Sequence, residues 1–275
     1  MPIVIRKGTA LYWEADGSGE PVLMIMGLSF TLDMWYRLRP AIVSRYRAIL
    51  FDNRGVGRSD TPRGPYSMRE MAEDARAVLD AAGVESAYVL GASMGGMIAQ
   101  ELYFRHPERV RALLLGCSAP SGIRSKLPDF QRLQALRRAA GIAREEREWL
   151  LARILYSEDT ERERIAEDIQ VRLRHTLRLS GVLSQLAAIL TWSSYSRLPG
   201  IRVPTLVLHG DRDYLVPLDN GRLLARRIPG AEFIVVPGAG HVMITDAPEF
   251  VERETLRFLA KQVAPVAPAV MPPAS

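Results

Sequence analysis

"GASMGG", residues 91–96, stands between the apolar run Ala87-Tyr88-Val89-Leu90 and a helix-like pattern carried by Met97, Ile98 and Leu102. Small residues at a strand-to-helix junction have two explanations. One is packing, since glycines ease a tight turn. The other is chemical: Gly91-Ala92-Ser93-Met94-Gly95 fits G-x-S-x-G, the turn that lifts a nucleophilic serine out of a sheet. At ordinary Gly and Ser frequencies the pentapeptide arises by chance in about one chain in ten of this size. The rest of the chain has to decide.

The chain has 275 residues, 48% of them apolar and 24% charged, which is enough for one large α/β domain or two small ones with a real core. No run approaches the ~20 apolar residues of a membrane span. The opening "MPIVIRKGTALYWEAD" alternates like a strand and lacks the apolar core and cleavage site of a secretory signal, so a cytoplasmic protein is expected. Cys117 is the only cysteine, which excludes an intrachain disulfide and a cysteine-based metal cluster. Its setting, "ALLLGCSAP", reads as a buried structural thiol. The net charge is +5, but the arginines are interspersed with acids, as in "AREEREW" and "EDTERERIAED". Such segments are solvated helix faces rather than a nucleic-acid groove, and no nucleic-acid partner is expected. Association into a homodimer is left open.

Outward from residues 91–96, short apolar runs alternate with helical patterns, the order that builds a mostly parallel sheet covered on both faces. The strands expected are Pro2–Arg6, Leu11–Ala15, Val22–Met26, Ala48–Asp52, Ala87–Leu90, Ala112–Gly116, Thr205–His209 and Glu232–Val236, the first two forming an edge hairpin through "KGT". Helices are expected at Met34–Ser44, Met68–Ala82, Met94–Arg105, Leu218–Arg227 and Pro248–Val263. Between Ser118 and Leu198 there is no strand candidate. Helix-like segments lie there at Asp129–Ala140, Glu145–Ser157, Thr160–Arg178 and Val182–Trp192. This insertion leaves the sheet just after a strand end, on the ligand side of such sheets, so it reads as a cap over a pocket. The expected organisation is a core of 1–118 and 199–263, a helical cap of 119–198, and a Pro/Ala-rich tail of 264–275.

A serine hydroxyl becomes a useful nucleophile when a base takes its proton, and an acid must orient that base. Four histidines are available. His106, in "FRHPER", suits a helix end; His175, in an arginine-rich cap helix, suits solvent; His209 ends the strand "TLVLHG" and suits packing beside the site. His241, in the glycine-rich "VPGAGHVM" after the last strand, can swing over a strand-end serine and is the expected base. The acid belongs on the loop after the preceding strand, giving the order Ser…Asp…His. "HGDRDYLVP" offers Asp211, which follows a glycine and suits the turn, and Asp213, further along the loop; chemistry alone leans toward Asp213.

With these stretches in hand, the chain resembles the large α/β-hydrolase family of serine esterases, lactonases and cofactor-free haloperoxidases. The matching stretches are "GASMGG", "FDNRGVGRSD" (51–60), "HGDRDYLVP" (209–217) and "GAGHVM" (238–243), in family order over roughly residues 10 to 262. The resemblance implies an α/β-hydrolase fold with an eight-stranded, mostly parallel sheet, helices on both faces and a helical cap. It also implies Ser93 as nucleophile, Asp213 as acid and His241 as base, without cofactor or metal. "DNRGVGRSD" is implied to be structural, with Arg54, Gly55 and Gly57 bracing its turn.

An oxyanion hole needs two backbone N–H groups aimed at the developing negative oxygen. Met94 N–H is one candidate, and Leu28 N–H, after the third strand, is the other. The family commonly shows His-Gly-x there, whereas this chain reads Met26-Gly27-Leu28. A backbone donor survives that change, but any hydrogen bonding by the histidine beneath the loop is lost. Ser29 offers a hydroxyl nearby. The cap's Leu183, Leu186, Ile189, Leu190, Trp192 and Tyr195 are expected along one wall of the pocket, with Leu28, Phe30 and Met94 near the other. Such a lining favours a neutral ester of small to medium acyl or aryl groups and disfavours a carboxylate-bearing substrate unless a cap arginine reaches in. The partner expected is a small-molecule ester or lactone substrate. The expected activity is carboxylic-ester hydrolysis through an acyl-enzyme. Alternatives on the same residues are an enol-lactonase, a C–C bond hydrolase and a perhydrolase or haloperoxidase; a non-catalytic binding protein is the alternative of another class. Serine rather than aspartate at position 93 argues against a dehalogenase or an epoxide hydrolase.

Overall fold

Strong apolar runs become the strands, and their alternation sorts residues onto two opposite core layers. The computed structural model describes residues 2–121, 125–126 and 142–262. The strands are β1 (Ile3–Arg6), β2 (Thr9–Asp16), β3 (Pro21–Ile25), β4 (Arg47–Phe51), β5 (Ala87–Ala92), β6 (Val110–Gly116), β7 (Thr205–Gly210) and β8 (Glu232–Val236). They form one sheet in the order β1-β2-β4-β3-β5-β6-β7-β8. The β1–β2 hairpin and the β2–β4 pair are antiparallel; every other pairing is parallel. Leu23, Ile25, Val89, Leu113 and Leu115 face one core layer, while Val22, Met24, Leu90 and Leu114 face the other. A sheet buried on both faces is what near-continuous apolar strands require.

The helices around the sheet are α1 (Arg39–Val43), α2 (Met68–Ala81), α3 (Met94–Arg105), α7 (Asp219–Arg227), α8 (Met243–Asp246) and α9 (Pro248–Gln262). Helix α3 buries Met97, Ile98 and Leu102 in the first layer, and α9 buries Val251, Phe258 and Leu259 in the second. The α2 N-terminus is capped by Ser67, whose hydroxyl accepts from Glu70 N–H at 3.2 Å. The helix expected at Thr160–Arg178 ends at Leu173, and the one expected at Met34–Ser44 is corrected. Residues 34–44 are not a continuous helix but a 3₁₀ turn, Leu32–Trp35, followed by α1. Pro40 sits in the first turn of α1, where its missing N–H costs nothing; in the middle of a longer helix it would break the ladder.

Between β6 and β7 the described residues form α4 (Arg144–Leu155), α5 (Arg162–Leu173) and α6 (Leu179–Thr191), with no strand among them. The helix expected at Asp129–Ala140 and the tail expected at 264–275 lie outside the described residues. Helices α4 and α5 pack on the core through Ala152, Leu155 and Val171 in the second layer and around a buried carboxylate. Asp168 of α5 accepts from Tyr36 Oη at 2.6 Å, Tyr156 Oη at 2.9 Å and Thr245 Oγ1 at 2.7 Å. Helix α6 meets the loop after β4 so closely that a Cβ on Gly55, itself at φ +89°, would lie 2.9 Å from Gly181 Cα. Glycine at both positions lets two backbones touch. No helix among the described residues is long and apolar enough to cross a membrane.

Candidate active site

Ser93 lies between β5 and α3 with φ +56° and ψ −119°, a conformation that non-glycine residues rarely adopt. Its backbone is held there by Ser93 N–H donating to Gly116 O at 2.7 Å. The flanking residues have to be small. A Cβ on Gly95 would run into the Ile25 carbonyl, and one on Gly91 into the Gly95 carbonyl. The turn thus projects the serine hydroxyl beyond the strand ends.

His241 reaches that hydroxyl from the loop after β8. Its Nε2 lies 3.0 Å from Ser93 Oγ, and its Nδ1 lies 2.8 Å from Asp213 Oδ2. A carboxylate only accepts, so Nδ1–H donates to Asp213 and Nε2 is left to accept from Ser93 Oγ–H. Asp213 is buried on the loop after β7, and its other oxygen accepts from Leu215 N–H at 3.0 Å and Val216 N–H at 2.8 Å. Burial pushes the Asp213 carboxyl up, but the charge His241 can carry and hydrogen bonds from His209 and His241 outweigh it. The carboxyl is held well below the usual range and stays ionised. Asp211 takes a different part: it accepts from Gly238 N–H at 2.8 Å, closing the turn between two loops.

The His241 loop is pinned on both sides of the imidazole. Gly240 N–H donates to Asp246 Oδ2 at 2.6 Å, and Val242 N–H donates to Leu155 O at 2.9 Å. Asp246 also accepts from Thr160 Oγ1 at 2.6 Å and Ser157 N–H at 3.3 Å, so the end of α4 and the His241 loop are fastened together. Desolvation raises the Asp246 carboxyl to about 6 against the pull of these donors.

The other histidines are placed apart from Ser93. His209 is buried, with Nε2–H donating to Val216 O at 2.7 Å and lying 3.4 Å from Asp213 Oδ2. His106 pairs with Glu73 at 3.0 Å beside the C-terminus of α3. His175 is half-buried rather than solvated, with Nε2 2.6 Å from Asp33 Oδ2, because the cap is packed down onto residues 31–36. Cys117, Asp213 and His241 place donor atoms within 4.8 Å of one another. Burial pushes the Cys117 thiol well above its usual range, so it offers a neutral S–H where a metal would want a thiolate. Both His241 nitrogens are already engaged, so the set suits proton transfer.

Leu28 follows Gly27, where a Cβ would come within 3.1 Å of Ser93 Cβ, so this turn lies directly against the serine. Met94 is the first residue of α3, where a backbone N–H has no partner within the helix. Leu28, Ile189, Met94 and Trp192 share one apolar cluster, and Trp192 Nε1–H donates to Glu101 Oε2 at 2.9 Å. Leu186 and Leu190 lie on the exposed face of α6 with Leu179 and Leu183. Tyr195 carries the Arg227 guanidinium over its ring at 4.0 Å. Phe30 carries the guanidinium of Arg172, from α5, over its ring at 4.3 Å. The loop "DNRGVGRSD" is internally braced, with Arg54 buried on Asp74 and Gly57 at φ +58°.

Two placements are not read from the sequence. Gln185, wholly buried in α6, accepts through Oε1 from Ser29 N–H at 2.9 Å and donates through Nε2 to Arg54 O at 2.8 Å. Asp246 sits five residues past His241. A single amide inside the apolar run "VLSQLAAIL" is the one cue that could have marked Gln185.

Comparison with known proteins now adds to the geometry. The model of the family described as alpha/beta hydrolase fold matches residues 20–248. A curated relative from Azorhizobium caulinodans, named "Putative carbamate hydrolase RutD", is 32% identical over 94% of this chain and 98% of its own length. The poly(3-hydroxyalkanoate) depolymerase of Ectopseudomonas oleovorans is 31% identical, covering 88% of this chain and 85% of its own. Among solved structures, the enol-lactonase of Burkholderia xenovorans LB400 superposes with a TM-score of 0.83 at 25% identity, over 94% of this chain and 100% of that one.

Proposed function

Because this chain belongs to the alpha/beta-hydrolase-fold family, we propose that it is a serine hydrolase of carboxylic esters, cyclic or open-chain. One observation carries the reading: a continuous path from Ser93 Oγ to His241 Nε2 at 3.0 Å, and from Nδ1 to a buried, ionised Asp213 at 2.8 Å. In this reading Ser93 Oγ attacks the carbonyl carbon while its proton passes to Nε2. The negative oxygen that develops meets the N–H groups of Met94 and Leu28. The imidazolium is stabilised by Asp213 and gives its proton to the leaving alkoxide oxygen. Water then repeats the sequence on the acyl-enzyme and releases the acid. With a lactone the leaving alcohol stays attached, so one hydroxy acid is the product.

Cyclic esters enter the reading on an equal footing with the simple esters expected from the sequence, because of the relatives' names. Besides the enol-lactonase, Est816, described as an N-acyl homoserine lactone degrading enzyme, superposes with a TM-score of 0.79 at 31% identity over 93% of this chain and 99% of that one. Arg172 lies over Phe30 and is paired with the buried Glu148, but Arg144 lines the same cavity. This second cation favours a second reading of substrate charge, in which a carboxylate on the substrate is tolerated rather than penalised. The test is a panel of p-nitrophenyl esters, lactones and a dicarboxylate half-ester. Hydrolysis of esters or lactones supports the proposal. Turnover confined to C–C cleavage products would overturn it, and preference for the half-ester would select the second reading.

A further inference from the structure

The sequence leaves one gap in the site: the turn carrying Leu28 lacks the histidine that commonly precedes its glycine, so something else must hold the turn in place. Two carboxamides do so. Asn53 Nδ2–H donates to Met26 O at 2.9 Å on one side of Leu28, and Ser29 N–H donates to Gln185 Oε1 at 2.9 Å on the other. The turn needs holding, because Ser29 is at φ +64°, an uncommon conformation for a residue with a side chain. Both amides stand on firm ground. Asn53 is buried in the loop braced by the Arg54–Asp74 ion pair. Gln185 returns to that same loop through Nε2–H to Arg54 O at 2.8 Å, one turn of helix beyond the Gly181–Gly55 contact.

We propose that Gln185 is a positioning residue by which the cap helix α6 sets the oxyanion donor at Leu28, standing with Asn53 in place of the absent histidine. The inference rests on the hydrolase reading above. Gln185 has no role in proton transfer; it fixes where the Leu28 N–H points. A donor displaced by a fraction of an ångström still lets substrate bind but follows the developing oxyanion poorly, so the effect falls on kcat rather than KM.

The experiment measures kcat and KM on p-nitrophenyl acetate, together with the affinity for an aryl trifluoromethyl ketone whose serine adduct places an oxyanion in the same hole. Gln185→Leu keeps the volume and removes both hydrogen bonds. The expected result is a fall in kcat of about 10–100-fold, short of the roughly 10²–10³ for outright loss of a donor. KM should stay within about twofold, and ketone affinity should fall in parallel with kcat/KM. Asn53→Ala, on the opposite side of the turn, should give the same split and serves if Gln185→Leu does not fold. Wild-type kcat in a folded Gln185→Leu, or a loss confined to KM with ketone affinity unchanged, overturns the positioning role. A wild-type protein inert toward both ester and ketone overturns the hydrolase reading and the positioning role with it.

Discussion

Replacing Asp246 by asparagine should change how stability depends on pH, in a direction set by its surroundings. The carboxyl is mostly buried, and desolvation raises it from 3.8 to about 6 even though Thr160, Gly240 and Ser157 donate to it. A group raised in the folded state holds more protons there than in the unfolded chain. Its contribution is complete below pH 3.8 and is lost as pH rises through 6. A shift of about 2 units at about 1.4 kcal/mol each corresponds to about 3 kcal/mol. Asparagine is isosteric with the protonated acid and does not titrate. The wild-type curve alone does not show the effect, because groups held low pull the other way; Glu73, for example, is lowered to about 2 by Arg105, His106 and Arg76 against desolvation. The assay is therefore urea unfolding of both proteins between pH 3.5 and 7.5, read as their difference. Wild type minus Asp246→Asn should fall by about 3 kcal/mol across that interval, most steeply between pH 4 and 6. A flat difference, or one that rises with pH, would refute the reasoning.

Asp213→Asn should lower kcat by about 10⁴ through loss of imidazole orientation and charge stabilisation, whereas Asp211→Asn, which removes only a turn contact, should cost far less. Steady-state rates on one ester decide it, and the reverse ranking would contradict the assignment of the acid. Asp168→Ala should cost about 3–5 kcal/mol in urea unfolding, because it strips three hydroxyl contacts and the facing Arg37 charge of their buried partner. A change under about 1 kcal/mol would show that the cap does not depend on this carboxylate.

The frame of the site is legible in the chain because its signals are local. Apolar runs bounded by turn residues mark β3 through β8, and the small residues around Ser93 announce a strand passing directly into a helix. The loops carrying Asp213 and His241 can be read as loops at strand ends, and chain order does the rest. What escapes is tertiary. Gln185 sits in an apolar helix that sequence reads as pocket lining, yet it is the amide that turns inward while Leu186 and Leu190 face out. Asp168 lies in "ERERIAEDIQ", where every acid looks solvated, yet three hydroxyl groups converge on it. The same packing of cap on core takes His175 out of solvent and onto Asp33. Periodicity marks which face of a helix is apolar, but not which polar group on that helix meets a partner across the fold.

The central claim is that Ser93 is a nucleophile activated by His241 and Asp213, and it is tested most directly by an active-site-directed fluorophosphonate followed by peptide mass analysis. The account predicts a single phosphonylated site at Ser93 in wild type and no labelling in His241→Ala. It also predicts that Ser93→Ala loses ester hydrolysis by about 10⁶ in kcat. Labelling at another serine, or a Ser93→Ala protein that keeps ester hydrolysis within tenfold of wild type, would contradict it.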